Sequence, residues 1–227
     1  MSAPTATLLP ELELARSRGA RLIAGVDEVG RGALAGPVTV GVVVIDLDRV
    51  AAETLTGGVW PALDGVRDSK LLTPKARARW QPTICDHASG WSVQHRSPEQ
   101  IDAEGITASL GEAGRAGLRA VEADLGRELD LVILDGIHDW LTGGRSSRVC
   151  TMAKADLKSL TVACASVLAK VERDALMVEL AAQHPDYGWD SNMGYGSHSH
   201  RDAIRLSGAT RYHRRSWNLG LDALPGL

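Results

Sequence analysis

The sequence predicts an α/β fold built on a sheet of mixed strand direction. Three observations predict it. Apolar, β-branched runs stand early in the chain at residues 22–26 and 38–45, later apolar runs alternate with helical stretches, and two of the buried runs end in carboxylates. With 227 residues the chain can bury one substantial core, which favours a single unit with a peripheral extension over two equal domains.

Residues 1–19 contain Pro4 and Pro10 and only a weakly helical stretch, so they read as a loosely ordered leader. The first strand, 22–26, runs into Asp27 and Glu28 and then a turn on Gly30 and Gly32. Successive strand side chains face opposite ways, so this reading expects the regular strand to stop between the two acids and the glycines to bend the chain. Residues 38–45 form a second strand in the middle of the sheet. Residues 46–65 hold glycines, a proline and a possible short helix; Thr73 and Pro74 then suit the N-cap and first position of a helix over 74–85.

Residues 91–96 alternate well enough for a third strand. Ser97 and Pro98 start a short helix, and a longer one spans 107–125 despite three glycines. Leu131 to Leu134 make a compact strand with Asp135 at its exit, and 148–152 make a fifth. The most regular helix spans 158–184, with an apolar stripe at Leu160, Ala163, Val167, Val171, Ala175 and Val178, and Asp156 lies just before it.

A formal charge of −3 gives no overall attraction to nucleic acid, so such binding must come from local clusters. Between Ser197 and Gly220 the bases Arg201, Arg205, Arg211, Arg214 and Arg215 face a single acid, Asp202. Three widely spaced cysteines form no zinc clip or secreted framework, and the longest apolar run is too short to span a bilayer. A cytoplasmic protein with no membrane association is expected.

Asp27, Glu28, Asp135 and Asp156 sit at two strand exits and one helix entrance, so a fold that aligns those ends gathers four carboxylates at one rim. Crowded like charges call for cations, and all-oxygen ligation suits Mg²⁺ or Mn²⁺. Two such ions about 4 Å apart can activate a water and stabilise the leaving oxygen in phosphodiester hydrolysis. Arg31, between Gly30 and Gly32, offers a donor fork beside open backbone, which suits a phosphate or sugar hydroxyl. Tyr195 between two glycines can stack on a sugar or base, and Lys70, Arg214 and Arg215 are candidates for phosphate contacts.

Each has a plainer reading taken singly: Asp135 as a turn cap, Asp156 as a helix cap, Tyr195 as packing, Arg31 and the other bases as solvated charge. The string G-R-G-A-L-A fits a relaxed dinucleotide fingerprint, but Gly36-Pro37 and a strand follow where that fingerprint needs a helix. His184, His198, His200 and His213 lack zinc-ligand spacing.

D-E-V-G-R-G-A-L-A-G-P at 27–37, L-D-G at 134–136, the segment 155–174, G-Y-G-S at 194–197 and H-R-R-S-W at 213–217 together resemble the ribonuclease HII family, in order and over nearly the whole chain. The resemblance implies a ribonuclease H-like fold: a five-stranded mixed sheet flanked by helices over residues 20–185, with a helical, substrate-binding extension over 186–227 lying against its open side. It implies catalytic and metal-binding roles for Asp27, Glu28, Asp135 and Asp156, with two Mg²⁺ or Mn²⁺ ions. The expected reaction cuts 5′ of a ribonucleotide, in RNA–DNA hybrids or in duplex DNA, leaving 3′-hydroxyl and 5′-phosphate ends. Gly30, Arg31 and Gly32 would read the 2′-hydroxyl and adjacent phosphate, and Tyr195 the sugar.

The implied partner is nucleic acid, and a monomer is expected. Ala33, Leu71 and Met193 depart from the family pattern, and the last two remove positive charge along the presumed strand path. A ribonuclease H-like nuclease of another hybrid preference and a non-catalytic hybrid-binding protein are the competing readings.

Overall fold

The computed structural model describes residues 5–220. At its centre is a five-stranded sheet in the order β3-β2-β1-β4-β5. Strands β1 (Leu22–Val29) and β2 (Val38–Asp46) form an antiparallel pair, and β3 (Gly90–Arg96) adds antiparallel to β2. On the other side β4 (Leu131–Asp135) pairs parallel to β1, and β5 (Val149–Met152) parallel to β4. The carboxyl ends of β1, β4 and β5 therefore share one rim, where ligand sites of open α/β sheets form.

β1, β2 and β4 read as continuous apolar runs because both faces are covered. Ala24, Val26, Val42, Val44 and Leu134 pack under α5 (Ile106–Leu125). Ile23, Val43, Ile45 and Ile133 pack under α6 (Leu160–Gln183). Gly25 and Gly41 set how close α6 comes: a Cβ on either would lie 2.3 Å from α6 backbone, on Thr161 C and Ala165 O respectively. That approach brings the start of α6, and the 3-10 turn Ala155–Leu157 before it, to the rim beside β1 and β4.

The expected apolar stripe of α6 holds only in its first half. Ala175 is exposed and Val178 is 48% exposed, while the buried line continues through Arg173, Met177 and Ala181. The helix outruns the sheet there and turns its buried face to the end of the chain instead. Tyr187, Trp189, Ala203 and Ile204, from the segment carrying α7 (Trp189–Asn192) and α8 (His198–Ser207), pack on Met177, Ala181, Leu34 and Ala35. The extension thus sits on the second half of α6 and the β1–β2 loop. It does not lie against an open side of the sheet, because α5 and α6 already occupy both faces.

The leader differs most from expectation. Residues 1–4 lie outside the described residues, but residues 5–19 are tied down. Helix α1 (Leu9–Arg18) follows a bridge from Thr7 to Ser159 and buries Leu8 and Leu12, which contributes about 1.5–3 kcal/mol apiece. Glu11, also fully buried, accepts from the Ser159 hydroxyl (2.6 Å) and from the Thr161 N–H and hydroxyl (both 2.8 Å) at the start of α6. A carboxyl at a helix N-terminus satisfies amide groups that have no partner within the helix. α2 (Ala52–Gly57), α3 (Pro74–His87) and α4 (Pro98–Glu104) complete the helices, and Thr73 caps α3 through the Ala76 N–H as its sequence suggests.

Candidate active site at the carboxyl rim of the sheet

The β1–β4 ladder ends at Val26 and Leu134, so Asp27 and Glu28 stand past its last rung while β1 stays paired to β2 through Val29. The strand does not stop between the two acids, as the sequence reading expected. Asp27 lies on the α6 face with Ile23 and Gly25, and Glu28 on the opposite face; the missing neighbour at this edge lets both feel the same charges. Asp135 ends β4, and its Oδ1 accepts from Ala155 N at 2.7 Å, which ties it to the turn carrying Asp156.

Burial, then the charges of Glu28 and Asp135, hold the Asp27 carboxyl well above its usual range, against a hydrogen bond from Ser166 and the pull of Lys70. Burial also raises Glu28, with Arg31 opposing and Asp135 reinforcing. Asp156 is raised by burial, then by Asp135 and Asp68. Into this field reaches Lys70, its Nζ 3.7 Å from Asp156 Oδ2 and 3.9 Å from Asp68 Oδ1. Burial lowers the Lys70 pKa, but Asp68, Asp27, Asp156 and Asp135 more than offset it and the net shift is upward.

The donor set fits a hard divalent cation. It is all oxygen, and the carboxylates disfavour one another's charge, a repulsion that a cation reverses. Among the described residues no three His, Cys, Asp or Glu side chains already converge as a closed cage. Mg²⁺ commonly uses one or two carboxylates and completes its octahedron with water and substrate phosphate, so an open arrangement suits it.

The β1–β2 loop, residues 30–37, is fastened from beneath by two buried arginines. Gly30 has φ +82°, and a Cβ there would lie 2.1 Å from Arg173 Nε. Arg173 donates to Pro37 O (2.8 Å), Met193 O (3.0 Å) and Ala35 O (3.2 Å). Arg214 donates to Gly30 O (2.6 Å), Arg31 O (2.8 Å) and Gly36 O (3.2 Å).

Arg214 is therefore not a free phosphate contact as expected. It is fully buried, and its donors are spent on backbone carbonyls, which a planar fork of five N–H groups satisfies well. Arg31 is half-exposed and 3.4 Å from Glu28, Gly32 is exposed, and Arg215 is exposed with its backbone N–H bonded to Asp102. Tyr195 is 38% exposed, with the Arg173 guanidinium 5.6 Å from its ring centroid. Leu34 and Ala35 N–H groups both donate to Gly194 O, so the Tyr195 loop rests directly on the β1–β2 loop.

Four residues near the site escaped the sequence reading. Arg173 had a signal, since it falls at helical spacing before Met177 and Ala181 on the buried face. Ser166 and Ser69 share a 2.8 Å hydroxyl contact that leads from Asp27 to the turn Ser69–Leu71, and Asp68 sits beside Lys70. Asp68 and Ser69 directly precede Lys70 in the sequence, and that adjacency is the signal for them. Of the histidines, His200 and His213 are buried and their Nε2 atoms face each other at 3.2 Å.

A family model described as Ribonuclease HII matches residues 24–219. A protein named Ribonuclease HII from Streptomyces avermitilis is 45% identical over 222 residues, covering 98% of this chain and 86% of that relative. The crystal structure of the ribonuclease H2 from Pyrococcus horikoshii OT3 superposes with a TM-score of 0.66 at 26% identity, covering 88% of this chain and 96% of that one. A crystal structure of Bst-RNase HIII in complex with Mn²⁺ shares the fold, with a TM-score of 0.67 at 21% identity over 90% of this chain and 70% of that one. The sheet and helices above are this ribonuclease H-like α/β fold.

Proposed function

The chain belongs to the ribonuclease HII family of metal-dependent hydrolytic endonucleases acting on RNA–DNA hybrids, and on that premise we propose that it cuts on the 5′ side of a ribonucleotide, including one embedded in duplex DNA. The observation that carries this reading is the meeting of Asp27, Glu28, Asp135 and Asp156 at one rim, where burial first, and acidic neighbours after it, raise Asp27, Glu28 and Asp156.

The four carboxylates would hold two Mg²⁺ or Mn²⁺ ions, which supply an activated water and stabilisation of the departing 3′ oxygen. The Mn²⁺ complex of a fold relative agrees with that choice. Ser166 and the Glu28 N–H hold Asp27 from the protein side, and the Ala155 N–H holds Asp135. Lys70 stands where a strand phosphate would approach, and it neutralises part of the acidic field before substrate arrives. Arg31 and the open backbone of Gly30 and Gly32 meet the 2′-hydroxyl and its phosphate, Tyr195 meets the sugar, and Arg215 a more distant phosphate.

In this reading residues 20–185 are the catalytic unit and 186–227 the substrate-binding extension, of which 221–227 lie outside the described residues. The protein would act as a monomer in the cytoplasm; no helix among the described residues is long and apolar enough to cross a membrane. Products are a 3′-hydroxyl and a 5′-phosphate.

The test is a panel of labelled duplexes containing one ribonucleotide, an all-RNA strand, or none. Cleavage at the single ribonucleotide with Mg²⁺ or Mn²⁺, and none with chelator, is expected. Cleavage confined to the all-RNA strand would reassign the preference, and binding without cleavage under every metal would favour a non-catalytic hybrid binder.

A further inference from the structure

Tyr195 projects from the short connection between α7 and α8, and its ring is exposed, so its backbone must be fixed from behind. Behind it lies a buried heteroaromatic chain. The Trp189 indole Nε1 is 3.0 Å from His200 Nε2, and His200 Nδ1 is 2.8 Å from the Tyr195 carbonyl oxygen. His213 Nε2 lies 3.2 Å from His200 Nε2, and His213 Nδ1 is 3.0 Å from both the Thr210 N–H and its hydroxyl.

The protons on this chain are dictated by its ends. An indole N–H can only donate, so His200 Nε2 is bare and its proton sits on Nδ1, donating to the Tyr195 carbonyl. The Thr210 backbone N–H likewise only donates, which leaves the His213 proton on Nε2, aimed at His200. Burial agrees with uncharged rings: it lowers His200, and burial first, then the repulsion that two protonated rings so close would feel, lowers His213 to about 4. The charged and titratable groups facing the pair, Arg201 toward His200 and His184 and Arg215 toward His213, all disfavour a further positive charge. The rings of Tyr187 and Trp189 close the sides, with centroids 4.8 Å and 5.3 Å from that of His213.

A pair of satisfied core histidines would look similar up to this point. The difference is where the chain ends: on the carbonyl of Tyr195, an exposed aromatic residue whose loop rests on the β1–β2 loop. We propose that His200, oriented by Trp189 and His213, is a positioning residue that sets where the Tyr195 ring stands over the substrate sugar. This rests on the reading that Tyr195 meets the ribose.

The experiment is a double-mutant cycle in kcat/KM on a single-ribonucleotide duplex, using His200→Leu, Tyr195→Ala and the pair, with melting recorded for each. His200→Leu should cost about tenfold, the worth of one well-placed hydrogen bond. His200→Asn should recover most of it, because its amide N–H falls close to where the Nδ1–H was. In the Tyr195→Ala background His200→Leu should cost nothing more.

An equal loss from His200→Leu in both backgrounds would overturn the proposal while leaving the ribose reading intact. Full activity of Tyr195→Ala would sink the ribose reading itself. If His200→Leu does not fold, Trp189→Phe carries the same cycle, since it keeps an aromatic ring there and removes one of the two donors that hold His200 Nε2. The imidazole ¹⁵N spectrum of the wild type is an independent check: a bare Nε2 on His200 and a bare Nδ1 on His213 are expected, and the reverse assignment contradicts the proposal.

Discussion

Asp27 stands in unfavourable surroundings for a carboxylate, because burial and then two neighbouring charges push it the same way. Asp27→Asn should lower turnover by several orders of magnitude while duplex binding in chelator persists; cleavage at the wild-type rate would remove Asp27 from the metal site. Arg214 calls for a different measurement. Arg214→Met withdraws the buried donor of Gly30, Arg31 and Gly36 carbonyls and should cost about 3 kcal/mol in a denaturant melt, with cleavage weakened as the loop loosens. A stability loss within error would mean that those carbonyls find water instead.

Between elements, the contact that sequence reading misjudged is also the most open to titration. Glu11 joins α1 to the start of α6, and burial raises its pKa above 4.5 against the Ser159 and Thr161 hydrogen bonds. An acid whose folded value lies above its unfolded one is taken up protonated on folding. Its stabilising share is therefore complete below 4.5 and is lost as pH rises through the folded value. Glu11→Gln should flatten the fall in stability with pH above 4.5 relative to wild type, both in chelator; parallel curves would show that Glu11 titrates normally.

Helix α6 itself was legible, from its N-cap region and its first apolar turns. Its second half was not, because apolar periodicity says nothing about a stripe that continues through Arg173 toward a neighbour formed by the end of the chain. The leader was misread for a related reason: two prolines and a weak helix pattern are local signals, whereas Leu8 donates its N–H to Gly58 O and Glu11 is held by Ser159 and Thr161, 148 and 150 positions away in the chain.

Across the whole molecule, β1, β2 and β4 were readable as apolar runs because they are buried, and two of them, β1 and β4, carry their acids at the exit; β3 and β5 are only partly buried and were readable less from burial than from their alternation and place in the order. The convergence of those exits was readable only jointly, through motif order, since any single acid has a structural explanation. Arg214 was misassigned because a basic cluster in sequence does not tell which bases face solvent and which turn inward to carbonyls. Arg215, next to it, is exposed.

The same distinction bears on affinity. Leu71 is 46% exposed beside Lys70, where a second cation could reach the strand path. Leu71→Lys should tighten duplex binding and steepen the slope of log affinity against log salt by about 0.9 for one added phosphate contact. An unchanged slope would place the strand elsewhere.

Four carboxylates that repel one another at the rim make sense if divalent ions and a scissile phosphodiester complete them. The most direct measurement is cleavage of a DNA duplex carrying one ribonucleotide, with Mg²⁺ or Mn²⁺ and with chelator, for the wild type and Asp27→Asn. The account predicts a nick 5′ of the ribonucleotide, bearing 3′-hydroxyl and 5′-phosphate ends, for the wild type with metal alone. Cleavage that persists in chelator, or that Asp27→Asn performs equally well, would contradict it.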